Sequence, residues 1–264
     1  MKWTYIFYLP AAVAIIGALI LIMFKNRPTP AQLLLALTHM MEGFGIMLLC
    51  IFFRGRTGSL FIFDFMIQSM TVLCIPLFYI SLCSQTESRG VTLGQRRVFL
   101  IPLAYIVGLT FGAWKLGPVR YEALCVASRY GEATWIQGDT AWNFMFFWEH
   151  WFAPALLMFF GFVLILMATR KMRVFRDRFN TFYAERMNAP KINVRGLQFL
   201  AWAFIPLAVL VYYAVYFRPP YAKYILIVAS LLLTVEQLLT SCVAFMLDFD
   251  SRFLAHYVKK IDRQ

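Results

Sequence analysis

The sequence predicts an all-α fold, a polytopic bundle of seven transmembrane helices with its amino terminus outside and its carboxyl end in the cytoplasm. Three observations predict it. Of 264 residues, 61% are hydrophobic and 14% charged, where a soluble domain carries about a quarter charged residues. The apolar residues gather into runs of about 19 to 26, long enough to cross ~30 Å of hydrocarbon. Lysine and arginine then fall unevenly on alternate connectors, as cytoplasmic loops require. Backbone polar groups in lipid must be satisfied within each segment, so the runs are helices; a barrel would show ~10-residue alternating stretches instead.

In chain order the spans are 5–24, 31–53, 60–82, 98–116, 144–169, 197–217 and 224–247. They make one transmembrane domain, 1–249, followed by a basic amphipathic tail, 250–264. Lys2 before the first run also fits a secretory signal, but the run is too long and no small-residue cleavage site precedes Lys25, so it is read as a span. Pro76, Pro102, Pro154 and Pro206 interrupt four spans, where neighbouring helices can satisfy the freed carbonyls. The connectors are short apart from 83–97, 118–143 and the basic stretch from Arg170 to Arg195.

Orientation follows from the basic residues. One side holds Lys2, Arg54, Arg56, Lys115, Arg120, Arg129, Arg218 and Lys223; the other holds the remaining seventeen of the chain's 25. This bias puts the carboxyl end inside and makes the protein a multi-pass component of a bacterial cytoplasmic membrane. The net charge of +12 belongs to those inner loops. A nucleic-acid surface would need a polar domain to carry it.

Two connectors carry more than a link. Residues 118–143 hold Glu122, Glu132 and Asp139 with Tyr121, Tyr130 and Trp135, enough to form a lid over the bundle or an ordinary connector with interfacial aromatics. On the inner side, Arg170, Lys171, Arg173, Arg176 and Arg178 interleave with Met172, Phe175, Phe179 and Phe182 on one helical face. That pattern predicts a basic amphipathic extension of the fifth span along the anionic inner leaflet. The tail repeats it with Phe253, Leu254, Tyr257, Val258 and Ile261.

Ionisable groups inside spans are costly and tend to face a cavity or a partner. Counting ~1.5 Å per residue, Asp64, Glu149 and His150 lie ~6 to 9 Å below the outer surface with Lys115 at the rim. Flanked by Trp114, Trp148 and Trp151, they predict a pocket open to the outside for a small cationic or polar ligand, or a helix-to-helix pairing of Asp64 or Glu149 with Lys115. Deeper, at ~16 to 18 Å, Glu42 and Glu236 share one level, with His39 a turn from Glu42. With Gln68, Thr234 and Gln237 they form a midplane polar cluster, either a buried hydrogen-bond network or a site for a shared proton or a cation.

Enzymatic readings find little support. His39 and His150 differ by ~12 Å in depth, too far to share a metal or a haem. The spans carry no Gly-x-Ser-x-Gly elbow and no phosphate-cradling glycine loop. The last span lacks the lysine that retinal would need, and no cofactor is expected. Of the five cysteines, most read as apolar fillers; Cys50 and Cys125 are the pair that topology allows to meet in an oxidising compartment.

The string Ile75-Pro76-Leu77-Phe78-Tyr79-Ile80-Ser81-Leu82, then a polar loop and Arg97-Val98-Phe99-Leu100-Ile101-Pro102, resembles the membrane-embedded amino-terminal half of AraC-type transcription regulators of Bacteroidetes. The resemblance extends to several spans, a basic inner loop and an inward carboxyl end. In that family a helix-turn-helix domain follows the last span; the stretch after Leu247 is too short for one. The resemblance therefore implies signal reception without direct nucleic-acid binding by this chain, through either a truncated or divergent relative or a unit acting on a separate cytoplasmic effector or a second copy. The sequence-based expectation is a membrane receptor or sensor unit; the competing readings are a small proton- or cation-coupled transporter using Glu42 and Glu236, and an enzyme acting on lipid with Glu149 and His150.

Overall fold

The computed structural model describes residues 8–23, 30–54, 59–84, 92–183, parts of 202–214, and 221–246. These residues are helical almost throughout, with no strand among them. Helix α1 is Tyr8–Met23, α2 Pro30–Arg54 and α3 Leu60–Ser84. A short turn α4, Leu93–Arg96, and a 3-10 turn, Arg97–Phe99, lead into α5, Leu100–Leu116. Then come α6, Pro118–Tyr130; α7, Thr140–Phe147; a π turn, Trp148–Phe152; α8, Ala153–Tyr183; and α9, Ala222–Met246.

Among the described residues, five helices are long and apolar enough to cross a membrane: Pro30–Phe53, Leu60–Ser84, Gly94–Leu116, Thr140–Val174 and Tyr224–Cys242. Helix α1 is apolar but has only 16 residues. The predicted span 197–217 is described only in part, and the tail 250–264 lies outside the described residues. Large apolar side chains such as Val107, Phe111, Met158 and Phe159 face outward, a surface that suits lipid and not water.

The core is organised around α3, which packs against α2, α5, α6 and α8. Every residue from Cys74 to Cys83 is buried, as a helix surrounded on all sides requires. Helix α1 lies against both α2 and α9, and glycine makes those approaches close. A Cβ on Gly43 would meet Ile15 at 2.7 Å, and one on Gly17 would meet the Ser241 hydroxyl at 2.4 Å. Two glycines four residues apart seat α7 and the π turn on α5: a Cβ at Gly108 would run into the Trp148 ring, and one at Gly112 into the Met145 sulfur. Thr38, Thr71, Thr110, Thr234 and Thr240 return their hydroxyls to carbonyls one turn back, which satisfies them without a partner helix.

The stretch expected as a loop from residue 118 is a helix. Pro118 stands at its start after Gly117 (φ 79°), and Gly131 ends it in the left-handed region (φ 73°), the proline-in, glycine-out asymmetry of a helix. Its buried face is Tyr121, Leu124, Cys125 and Ser128, one stripe at helical spacing. The following span starts at Thr140 instead of residue 144, because the Asp139 carboxylate caps it by accepting from the Trp142 amide at 3.1 Å. The π turn has a local cause in Pro154, which has no N–H for the His150 carbonyl and whose ring crowds it. The helix widens by one residue and Ala153 N donates to Trp148 O, the usual response where a ladder bond is lost.

Candidate functional site

Asp64 of α3, predicted to line a pocket open to the outside, is buried. Its Oδ2 accepts from Gln68 Nε2 one turn on at 2.7 Å and from the Tyr121 hydroxyl of α6 at 2.9 Å. The Tyr105 hydroxyl of α5 donates to Gln68 Oε1. Glu149, set in the π turn, interacts with Asp64, Tyr121 and Gln68. Asp64, Gln68, Tyr121 and Glu149 are each 1% exposed or less. Two carboxylates, two phenols and an amide from four parts of the chain thus share one closed compartment. Gln68, placed by depth alone in the deeper cluster, belongs here: four residues separate it from Asp64, so the two side chains meet on one helix face.

Helix α6 closes this compartment with side chains that also finish other helices. The Glu122 carboxylate accepts from Phe61 N at 3.1 Å, an otherwise orphan donor in the first turn of α3. Arg129 donates to Phe53 O at the carboxyl end of α2. Each charge therefore meets the helix terminus of opposite partial charge. Ser128 Oγ lies 3.4 Å from His150 Nε2, and His150 Nδ1 lies 3.1 Å from Phe146 O. A carbonyl can only accept, so Nδ1 carries the proton and Nε2 accepts from the serine, an assignment that makes the ring a neutral tie to α6. Burial pushes the Tyr121 phenol well above its ordinary range, and Asp64 and Glu149 add to the push; Tyr121 remains a donor. Burial raises the Cys125 thiol in the same way, with Asp64, Glu149 and Glu122 contributing.

The other residues predicted for this pocket separate from it. Lys115 lies over the rings of Trp114, at 4.9 Å, and Phe111, at 5.7 Å, and Trp114 is 72% exposed. Lys115 thus takes the snorkelling option, and neither it nor Trp114 lines the compartment. Trp151 is also exposed. Trp148 does pack inward, stacked on Tyr105 at 5.5 Å and Phe144 at 5.2 Å. Cys50 and Cys125, the pair that topology allowed to meet, are both buried and are not joined in a disulfide. At the other end of the long helix, Arg170, Lys171 and Arg173 follow the apolar segment on α8; the side chains from Phe175 onward, Arg176 and Arg178 among them, lie outside the described residues.

The deeper cluster joins α2 to α9. His39 Nδ1 and Glu42 Oε2 are 3.1 Å apart. Glu236 accepts from the Thr240 hydroxyl at 2.9 Å through Oε1 and interacts with Glu42. His39, Glu236, Gln237 and Thr240 are buried.

Sequence reasoning missed Tyr105 and Tyr121 as members of the first compartment. For Tyr121 a signal existed: it opens the Tyr121, Leu124, Cys125, Ser128 stripe in a segment bracketed by Gly117-Pro118 and Gly131.

This architecture defines a helical integral membrane protein with two buried acidic clusters. No protein-family model, curated protein or solved structure matches the chain.

Proposed function

We propose that the chain is a membrane receptor or sensor unit in which a proton or small cation arriving from outside the cell changes the charge of the Asp64 and Glu149 compartment, and that α6 and α8 carry the change onward. The carrying observation is continuity: Glu149 sits in a π turn at the head of the same helical rod whose far end bears Arg170, Lys171 and Arg173. Helix α8 alone has 31 residues, about 46 Å at 1.5 Å per residue, against ~30 Å of hydrocarbon. It can span and still reach anionic headgroups. A wide turn beside a proline offers two packings of similar energy, the kind of element that a local change of charge can bias.

In this reading the chain crosses the bacterial cytoplasmic membrane seven times, counting 5–24 and 197–217, with the amino terminus outside. The arginine and lysine asymmetry supports that orientation. The output goes to a cytoplasmic effector or a second copy, linked to transcription regulation as the resemblance to AraC-type sensors implies.

The test uses the full chain in lipid nanodiscs, with Cys242→Ser removing the exposed thiol. Single reporter cysteines replace Val119 on α6, 82% exposed, and Val174 on α8, 46% exposed. Acidification or added NaCl should change the environment of dyes at both positions, and Asp64→Asn with Glu149→Gln should abolish both responses. A silent label at Val119 overturns the binding role; a response there with none at Val174 overturns the relay.

A second reading, a proton- or cation-coupled carrier, is favoured by the interaction of Glu42 with Glu236 on two different helices. Proteoliposome flux that vanishes in Glu42→Gln decides for it.

A further inference from the structure

The two acidic clusters differ in what their polar atoms touch. In the α2 and α9 cluster, His39 Nε2, Glu236 Oε2 and both amide atoms of Gln237 are buried without a hydrogen-bond partner among the described residues. His39 and Gln237 are 1% exposed and Glu236 is 4% exposed. An orphaned buried polar atom is costly to a fold, and three side chains of this cluster carry such atoms at once. Native proteins rarely leave such groups empty, and polar pockets of this kind hold water or an ion.

Charge bookkeeping gives the sign of the occupant. The His39 and Glu42 pair balances itself when the imidazole is protonated. Glu236 then remains, one oxygen bonded to Thr240 and the other without a donor among the described residues, within electrostatic reach of Glu42. Among the described residues the neighbouring elements supply no further cation: α1 carries no charged residue, and α3 contributes Cys74, which interacts with Glu42. Helix α1 packs closely on α2 at Gly43 and on α9 at Gly17, the two helices that carry these acids.

We infer that Glu42, Glu236, His39 and Gln237 form a mid-helix site that binds one positive charge, delivered as a proton or as a sodium ion. A proton would be shared between Glu236 Oε2 and Glu42, with a water bridging His39 Nε2 and the Gln237 amide. A sodium ion would take the two carboxylates and Gln237 Oε1, all hard oxygen donors. The inference is independent of the sensor reading, because it concerns occupancy and not signalling, and its test reads neither dye.

Purified full-length protein in nanodiscs is compared with Glu236→Gln and Glu42→Gln by infrared difference spectroscopy and by thermal unfolding in NaCl or choline chloride. In the proton case, wild type shows a protonated-carboxyl stretch at neutral pH that either variant removes or shifts, and the two salts give one unfolding midpoint. In the sodium case, NaCl raises the wild-type midpoint saturably by several degrees and both variants lose the rise. Should Glu236→Gln fail to fold, Glu42→Gln and the shorter acid in Glu236→Asp carry the comparison. A wild type with neither a carboxyl stretch sensitive to these positions nor a sodium-dependent midpoint overturns the inference.

Discussion

Asp64 and Glu236 meet the same problem, a carboxylate out of water, with different solutions. Around Asp64 the chain supplies donors from three elements and adds a helix that shuts the compartment; around Glu236 it supplies one hydroxyl and leaves neighbouring polar atoms open. Satisfied hydrogen bonds tie a charge to shape, so a change at Asp64 must move α6. Open valences tie a charge to occupancy, so a change at Glu236 alters what is bound while the helices keep their packing. Burial alone does not distinguish a structural acid from a site; the census of partners does.

The comparison breaks most visibly at Asp64. Asp64→Leu strands the donors of Gln68 and Tyr121 in the core. With roughly 1–3 kcal/mol for each orphan, unfolding in mild detergent should show a loss of about 3 kcal/mol or more. A loss below 1 kcal/mol would mean that the compartment is no tighter than the deeper one. Tyr121→Phe removes one buried hydrogen bond and should cost about 1–2 kcal/mol, with faster amide exchange confined largely to α6; uniform exchange across the bundle would deny α6 its role as a separate lid.

A smaller effect sharpens the comparison from the side of pH. Tyr121 and Cys125 both have raised values in the folded chain, and the groups lose protons at lower pH once α6 is released. Their contribution is complete below the ordinary thiol range near ~8.5 and falls as pH rises above it. Cys125 alkylation at alkaline pH should therefore be slow in wild type and several-fold faster in Tyr121→Phe. Equal rates would show that the thiol is reached without undocking. The smallest change is expected at Gln237→Leu, which deletes an amide with no hydrogen-bond partner among the described residues and loses only its share of the bound water or ion: the cost should stay within about 1 kcal/mol. A drop comparable to that of Asp64→Leu would show that the amide is already satisfied.

Membrane length is written plainly in sequence, because lipid forces each span to satisfy its own backbone. Hence α2, α3 and α5 begin and end within a few residues of the expected 31–53, 60–82 and 98–116. Depth is legible for the same reason, and it brought Asp64 to the level of Glu149, and Glu42 to that of Glu236. Azimuth is not. Lys115 has the right height for Asp64 and the wrong side of α5, and Gln68 was assigned by height when its spacing from Asp64 already paired them. Helix α6 escaped notice because a mixed helix at the membrane surface lacks the apolar run that marks a span. The π turn had its only trace in Pro154.

The clasp of Glu122 and Arg129 on the α2 and α3 termini has a bearing on assembly. Phe61 waits 61 residues for its acceptor and Phe53 waits 76 for its donor. At about 5–20 residues per second, the hairpin emerges with two raw ends that stay open for seconds while α5 is still being made. A factor that attends nascent membrane chains would find a handle there, and synthesis stalled before residue 122 would leave α2 and α3 inserted and unlatched.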